Sequence, residues 1–410
     1  MSKNSCASRV GPWVVVWLCF ATLAIAMSAR QSPSIMTSQW LQSLGWSRTF
    51  ISSGQSVALI VTALVVPITG NLADRYGVRA MLCGGLLLVA LGLSLFAVFP
   101  LPALYMIGYG AVSGVGFAGA NYHLISTGVA RLFERQRGLA MGIANAGGTA
   151  GQFVTVPLLT ATLTYSSWRW GIVVVALTCT IMAVVIWVML KSVESDAVRV
   201  AERVPRESLQ NRLKVLFTNT TFHVLFWSYF ICGITTTGAI ETHFLPYAAF
   251  CGFPPVPASG IYGLMMAVNF GGMFLIGWLT DRMNRPLLLG SIYLARALSF
   301  IVLMLVGTSY EMMLLFAVVF GIFDYSTLPP TASLIASHLG LRIMGLTLGL
   351  VTCGHSLGGA LGAFLGGYLF DLFARYAEMW WVAFGTAGLA GLMVFVLREG
   401  RRGGVYFGAV

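Results

Sequence analysis

The chain has 410 residues, of which 58% are hydrophobic and only 9% charged, with a mean hydropathy of +0.84. This composition lies far outside that of soluble globular domains and excludes water as the main solvent. The net charge of +11 does not point to nucleic acid either, because the basic residues are scattered over short polar intervals and form no patch.

A hydrocarbon layer of about 30 Å takes roughly 20 apolar residues to cross as a helix. Helix is the expected backbone there, since an unpaired amide in lipid costs several kcal/mol. Lys3 and Arg9 precede an apolar run ending Ala26-Met27-Ser28-Ala29, which has features of a secretory signal. The run is too long for one, so it reads as the first membrane helix, over residues 11–40. Further apolar segments follow at 48–70, 78–98, 102–130, 138–160 and 168–190. The stretch Lys191 to Lys214 holds six Lys/Arg and four Asp/Glu with few large apolar residues, and reads as a solvated linker. Six more segments lie at 220–248, 256–280, 286–307, 311–338, 341–368 and 376–397. The expected class is an all-α polytopic membrane protein with twelve transmembrane helices in two pseudo-symmetric six-helix bundles. The halves are 1–190 and 219–400, with a linker at 191–218 and a tail at 401–410.

Placing the N-terminus in the cytoplasm puts 19 of the 24 Lys and Arg on the cytoplasmic side, so both termini are expected there, in a cell inner (plasma) membrane protein. The seven cysteines stand singly, mostly inside apolar runs, as expected of free buried thiols. No nucleotide-binding loop, metal-ligand spacing or catalytic triad is present, so no enzyme activity, metal or cofactor is expected, and ion or solute gradients must supply any driving force.

An internal repeat supports the division into halves. Gly70-Asn-Leu-Ala-Asp74-Arg75-Tyr-Gly77-Val-Arg79 follows segment 2, and Gly277-Trp-Leu-Thr-Asp281-Arg282 follows segment 8, at an offset of 207 residues. The Gly-rich stretches Gly142 to Gly151 and Gly349 to Gly358 match at the same offset, which points to descent from one six-helix unit. In the motif, Gly70 and Gly77 allow close approach and bending. Asp74 can accept from amides at a neighbouring helix N-terminus and pair with arginine, forming a latch between moving halves.

The pattern Gly-x-x-x-Asp-Arg-x-Gly-x-Arg between helices 2 and 3, with its weaker copy between 8 and 9, resembles the signature of the major facilitator superfamily. Leu44-Gly45-Trp46-Ser47-Arg48 and Thr242-His243-Phe244-Leu245-Pro246-Tyr247 resemble the monocarboxylate and oxalate/formate branch, in particular its bacterial members. The resemblance implies a fold whose helices 1, 4, 7 and 10 line a central cavity.

Arg30, Glu241, Arg296 and Asp324 lie within apolar segments, where a charge costs roughly 2.5 to 3.5 kcal/mol and must face a cavity or a partner. Under the implied architecture, Arg30, Glu241 and Asp324 fall on cavity helices 1, 7 and 10, and helix 4 supplies Asn121, Tyr122 and His123. Arg30, just before Pro33, suits a carboxylate, held bidentately; an ion pair with Glu241 or snorkelling to the interface is the structural alternative. Glu241 and Asp324 are the proton-coupling candidates, with a fixed salt bridge to Arg30 or Arg296 as the alternative. Arg296, on an outer helix, is expected in a structural pair. His123 and His355 could carry a proton or donate to a carboxylate, or simply pack. Tyr122 and Tyr325 are expected to shape the cavity.

The function expected from these residues and the resemblance is secondary active transport of a small organic anion, a monocarboxylate above all, by alternating access, with proton symport or anion exchange. The expected partners are that solute, protons and the bilayer, and a monomer contains both halves. A proton-coupled exporter of lipophilic or cationic compounds is the alternative. A ligand sensor and a carrier of neutral solutes such as sugars are weaker readings.

Overall fold

Helix is nearly the only regular structure because a peptide group facing hydrocarbon must find its partner within its own segment. The computed structural model describes residues 11–46, 48–165, 167–191 and 208–399. Lys3, Arg9, Cys6, linker residues 192–207 and the tail lie outside the described residues. The six described cysteines are free thiols, four of them buried.

The N-terminal half comprises α1 (Pro12–Leu44), α2 (Arg48–Tyr76), α3 (Val78–Val98), α4 (Pro102–Ala130), α5 (Arg137–Tyr165) and α6 (Trp168–Met189). The C-terminal half comprises α7 (Thr220–Phe250), α8 (Pro255–Thr280), α9 (Arg285–Met304), α10 (Tyr310–His338), α11 (Met344–Phe373) and α12 (Ala377–Phe395). Among the described residues, all of these but α5 contain a stretch long and apolar enough to cross a bilayer. Leu87, Leu91, Leu177, Ile181 and Leu298 stand exposed on outer helix faces, which is stable only against lipid.

Two boundaries differ from the sequence reading. The motif from Gly70 is not a loop: α2 continues to Tyr76, and the chain turns at Gly77 alone, whose φ of 91° favours glycine. Within the presumed solvated linker lies a helix, Leu209–Thr218, capped by the Ser208 hydroxyl and burying Arg212 and Leu216 one turn apart.

Three of the long helices are interrupted. α4 carries π-helical turns at Tyr105–Ser113 and breaks at Ala120, and α7 carries them at Ile234–Glu241. α10 breaks at Asp324 and passes through a 3-10 turn, Tyr325–Thr327, before restarting. Threonines tie the interrupted α4 to α2: Thr62 Oγ1 donates to the Gly114 carbonyl at 2.8 Å and Thr69 Oγ1 to that of Ala118 at 3.1 Å.

The halves meet at the end of the molecule that carries the two motifs. There α2 crosses α11 and α5 crosses α8 so closely that a Cβ on Gly70 would land on the Gly345 carbonyl, and one on Gly138 would land on the Gly277 carbonyl. The motif-side piece of α10 packs on α4 and α5, while the far-side piece packs within its own half. The apolar core has the same asymmetry. It runs unbroken from the N-terminal half into the motif end of the C-terminal half, whereas residues such as Phe244, Phe316 and Trp380 form a separate cluster at the far end. The halves therefore enclose a wedge that narrows toward the motif side.

Gly70→Val should force the α2 and α11 backbones apart. Overpacking of this kind costs about 1–3 kcal/mol, enough to shift a closed-to-open ratio by roughly 5- to 150-fold. Spin labels at the motif ends of α2 and α11 should report a longer mean distance by double electron–electron resonance. An unchanged distribution would mean that the close approach does not set the closed arrangement.

Candidate functional site

The narrow end of the wedge is held by two carboxylates, each capping a helix of the opposite half. Asp74, in the last turn of α2, accepts the N–H groups of Gly345 and Leu346 at the start of α11, both at 2.9 Å. Asp281, just after α8, accepts the N–H groups of Gly138 and Leu139 at the start of α5, at 2.7 and 2.8 Å. Asp281, Gly345 and Leu346 stand 207 residues after Asp74, Gly138 and Leu139 respectively, so the two contacts are one contact made twice. Each places negative charge on orphan amides at a positive helix end, where both the dipole and the hydrogen bonds favour it.

Asp74 also pairs with arginine, but not with its sequence neighbour. Arg75 is exposed, and the partners are Arg131 at the end of α4, at 2.7 Å, and Arg212 of the linker helix, at 2.5 Å. Arg212 also donates to Asn71 Oδ1. The remaining motif arginines lie over tryptophans, Arg79 at 4.0 Å from the Trp187 ring and Arg282 at 3.9 Å from Trp278. Neither Arg131 nor Arg212 was singled out from the sequence. Arg131 stands at the end of an apolar segment facing the motif side, where composition alone does not separate it from the other basic residues.

Beyond this clamp, the centre of the wedge is crossed by an aromatic pair. Tyr122 of α4 stacks on Tyr325 of α10 with centroids 5.8 Å apart and rings inclined by 18°. A Cβ at Gly148 of α5 would occupy the Tyr122 ring, so that glycine makes its space. The Tyr325 hydroxyl donates to Glu241 Oε1 at 2.5 Å. Glu241 closes the π-helical stretch of α7 and is exposed, whereas His243, two residues on, is buried with Nε2 3.0 Å from the Ala363 carbonyl. Arg30 forms no ion pair with any described residue; its carbonyl accepts from Tyr109 at 2.7 Å, fixing the backbone of α1 there. Tyr122, Glu241 and Tyr325 thus come together between the halves.

Other candidates turn away from that centre. Asn121 is buried, and its Oδ1 caps the restarted α4 by accepting the Tyr122 N–H at 2.7 Å. It thereby sets the direction of Tyr122. His123 is buried against α2, with Nε2 3.3 Å from Thr69 Oγ1. His355 lies between α11 and α7, with Nε2 3.2 Å from Thr236 Oγ1 and its ring 4.9 Å from that of Tyr229. Asp324 is buried and its Oδ1 has no hydrogen-bond partner among the described residues. Arg296, expected in an ion pair, instead donates to the carbonyls of Phe323 and Asp324 and to Cys232 Sγ. The sequence signal for a break there is Pro329-Pro330, two residues without N–H that disturb the turn before them.

The sequence profile of the Major Facilitator Superfamily matches residues 16–307. The chain is 24% identical over 396 residues to an uncharacterised transporter of that type, YcxA of Bacillus subtilis (strain 168), covering 94% of each chain. It is 26% identical over 389 residues to monocarboxylate transporter 13 of Bos taurus, covering 94% of this chain and 88% of the relative. In structure it is similar to the proton:xylose symporter XylE, with a TM-score of 0.73 at 13% identity over 92% of this chain and 94% of the other. That similarity speaks to the fold.

Asp74→Asn keeps the size of the side chain but removes the charge held by two arginines and a helix end. Breaking a buried pair in this way costs about 3–5 kcal/mol, and the partial exposure of Arg131 places the expected cost at the lower end. Arg212→Ala should weaken the clamp by less. The same spin-label distance should rank the variants Asp74→Asn, Arg212→Ala, wild type from most to least open, and equal populations in Arg212→Ala and wild type would remove the linker from the clamp.

Proposed function

The chain belongs to the Major Facilitator Superfamily of membrane transporters, and on that premise we propose that it is a secondary active carrier of a small organic anion, a monocarboxylate, driven by protons or by exchange. The observation that carries the reading is the carboxyl–tyrosine pair Glu241–Tyr325 stacked across the halves on the Tyr122 ring; the guanidinium of Arg30, on α1, has no ion pair among the described residues and is the cation this reading assigns to the substrate. The similarity to a monocarboxylate transporter supports the same substrate class.

In this reading the substrate carboxylate enters from the wide end and meets the fork of Arg30, which can hold both oxygens. Its apolar remainder rests on the Tyr122 and Tyr325 rings. Glu241 takes up the proton, and Asp324, buried at the break in α10, is the second carboxyl candidate. Loading anion and proton together cancels the charge on both sides of the wedge, so the loaded site can pass through a low-dielectric closed state at lower electrostatic cost than a half-loaded one. The two aspartate clamps then release, and the wedge opens at the motif side. We assign that side to the cytoplasm of a cell inner membrane, because Arg75, Arg131, Arg135, Arg282 and Arg342 flank helix ends there.

Uptake of radiolabelled lactate, pyruvate, oxalate and formate into proteoliposomes under an inward proton gradient tests the reading. Wild-type protein should take up at least one of them with stimulation by the gradient. Arg30→Ala should abolish uptake, and Glu241→Gln should retain exchange while losing stimulation. Reconstituted, folded protein that carries none of these anions would favour export of lipophilic cations, for which Glu241 and the aromatic pair are the natural attractors. Full uptake by Arg30→Ala would make that arginine structural.

A further inference from the structure

α10 contains a defect that a membrane helix cannot leave unrepaired. Its sequence Asp324-Tyr325-Ser326-Thr327-Leu328-Pro329-Pro330 places two prolines where the N–H groups for the Tyr325 and Ser326 carbonyls would lie. The chain responds with a 3-10 turn, in which the Leu328 N–H donates to the Tyr325 carbonyl. That bond takes Leu328 away from the Asp324 carbonyl, its partner in a regular helix. Asp324 itself leaves helical geometry, with φ −60° and ψ −80°.

The repair comes from α9. Arg296 is fully buried, and its Nη2 donates to the Phe323 carbonyl at 2.6 Å and to the Asp324 carbonyl. Its Nη1 donates to Cys232 Sγ on α7 at 2.9 Å. Among the described residues Arg296 makes no ion pair with a carboxylate, so its charge faces main-chain oxygens, the thiol and the rings of Tyr293 and Phe320. One planar fork therefore joins α9, the break in α10, and α7. The residue immediately after the break is Tyr325, which stacks on Tyr122 and donates to Glu241.

We propose that Arg296 is a positioning residue, which staples the broken α10 to α7 and so seats Tyr325 against Glu241 and Tyr122. The proposal rests on the reading that these three side chains form the transport site. Lysine cannot replace the arginine: an ammonium is a point donor without the fork that reaches two carbonyls and a sulfur on different helices. Cys232 is the third anchor, and its loss should loosen the staple without removing it.

Two measurements test the proposal. In the full-length chain carrying Tyr122→Cys and Tyr325→Cys, a short bifunctional thiol reagent should join the two positions efficiently, with the native cysteines alone as control. Adding Arg296→Lys should reduce the yield about tenfold, the equivalent of losing one hydrogen bond to a charged group. Undiminished cross-linking would overturn the staple. In proteoliposomes, Arg296→Lys and Tyr325→Ala should each slow uptake, and the double variant should be no slower than Tyr325→Ala, because the arginine acts through that side chain. Multiplying effects would overturn the positioning role. If Arg296→Lys does not reach the membrane, Cys232→Ala takes its place; it should give a smaller loss in both readouts, and no loss in either would overturn the proposal. The cross-linking arm does not depend on the substrate. A drop in yield alongside wild-type protein that carries no carboxylate would sink the anion reading and leave the staple standing.

Discussion

Hydrocarbon offers a peptide group nothing to bond with, and the arrangement of this molecule follows from where that constraint is broken and what repairs it. Unbroken helices meet it by themselves, and the ones that do, such as α3, α6 and α12, serve as walls. At the breaks side chains are aimed into the wedge, and in α4 and α10 a specific group answers for the freed backbone. Asn121 caps the restart of α4 and aims Tyr122. Arg296 answers the carbonyls at the break in α10 beside Tyr325. Glu241 stands at the end of the π-helical stretch of α7. Tyr122, Tyr325 and Glu241 stand at the defects because there the backbone leaves the direction a straight helix would impose.

The second constraint comes with the proposed mechanism, which asks for an interface between halves that is strong and still divisible. Apolar packing cannot provide this alone, since lipid competes equally well for apolar faces. Aspartates at helix N-termini can: each forms two charge-assisted bonds to backbone, and separation exposes the carboxylate and the amides together to water at the membrane surface, where both are solvated. The paired glycines at Gly70 and Gly345, and at Gly138 and Gly277, bring the helices near enough for those bonds to form.

Much of this was legible in the sequence, and the rest was hidden for identifiable reasons. Hydropathy located twelve segments because the bilayer imposes a length on each. The 207-residue repeat located the motif pair and, through Asp74, the kind of contact it makes. What composition could not give is direction around a helix axis at a break. Asn121, Tyr122 and His123 are consecutive, yet one caps, one faces the centre and one packs on α2, because the chain restarts between them. Segment 10 read as one apolar run, although Pro329-Pro330 marked its interruption. The linker read as solvated from its charge count, yet Arg212 is buried on the clamp, a placement decided by tertiary pairing rather than local composition.

The clamp has the geometry of an isologous dimer contact, in which one residue pair is formed twice about a two-fold axis. A six-helix unit meeting a second copy of itself could make both aspartate contacts from a single sequence, with the same glycine crossings beside them. Arg212 is the exception. It belongs to the connecting segment, so it has no counterpart in either half, and it reaches Asp74 only because the two units are one polypeptide. Fusion thus did more than tether the units: it brought to the Asp74 contact a cation from outside both six-helix units.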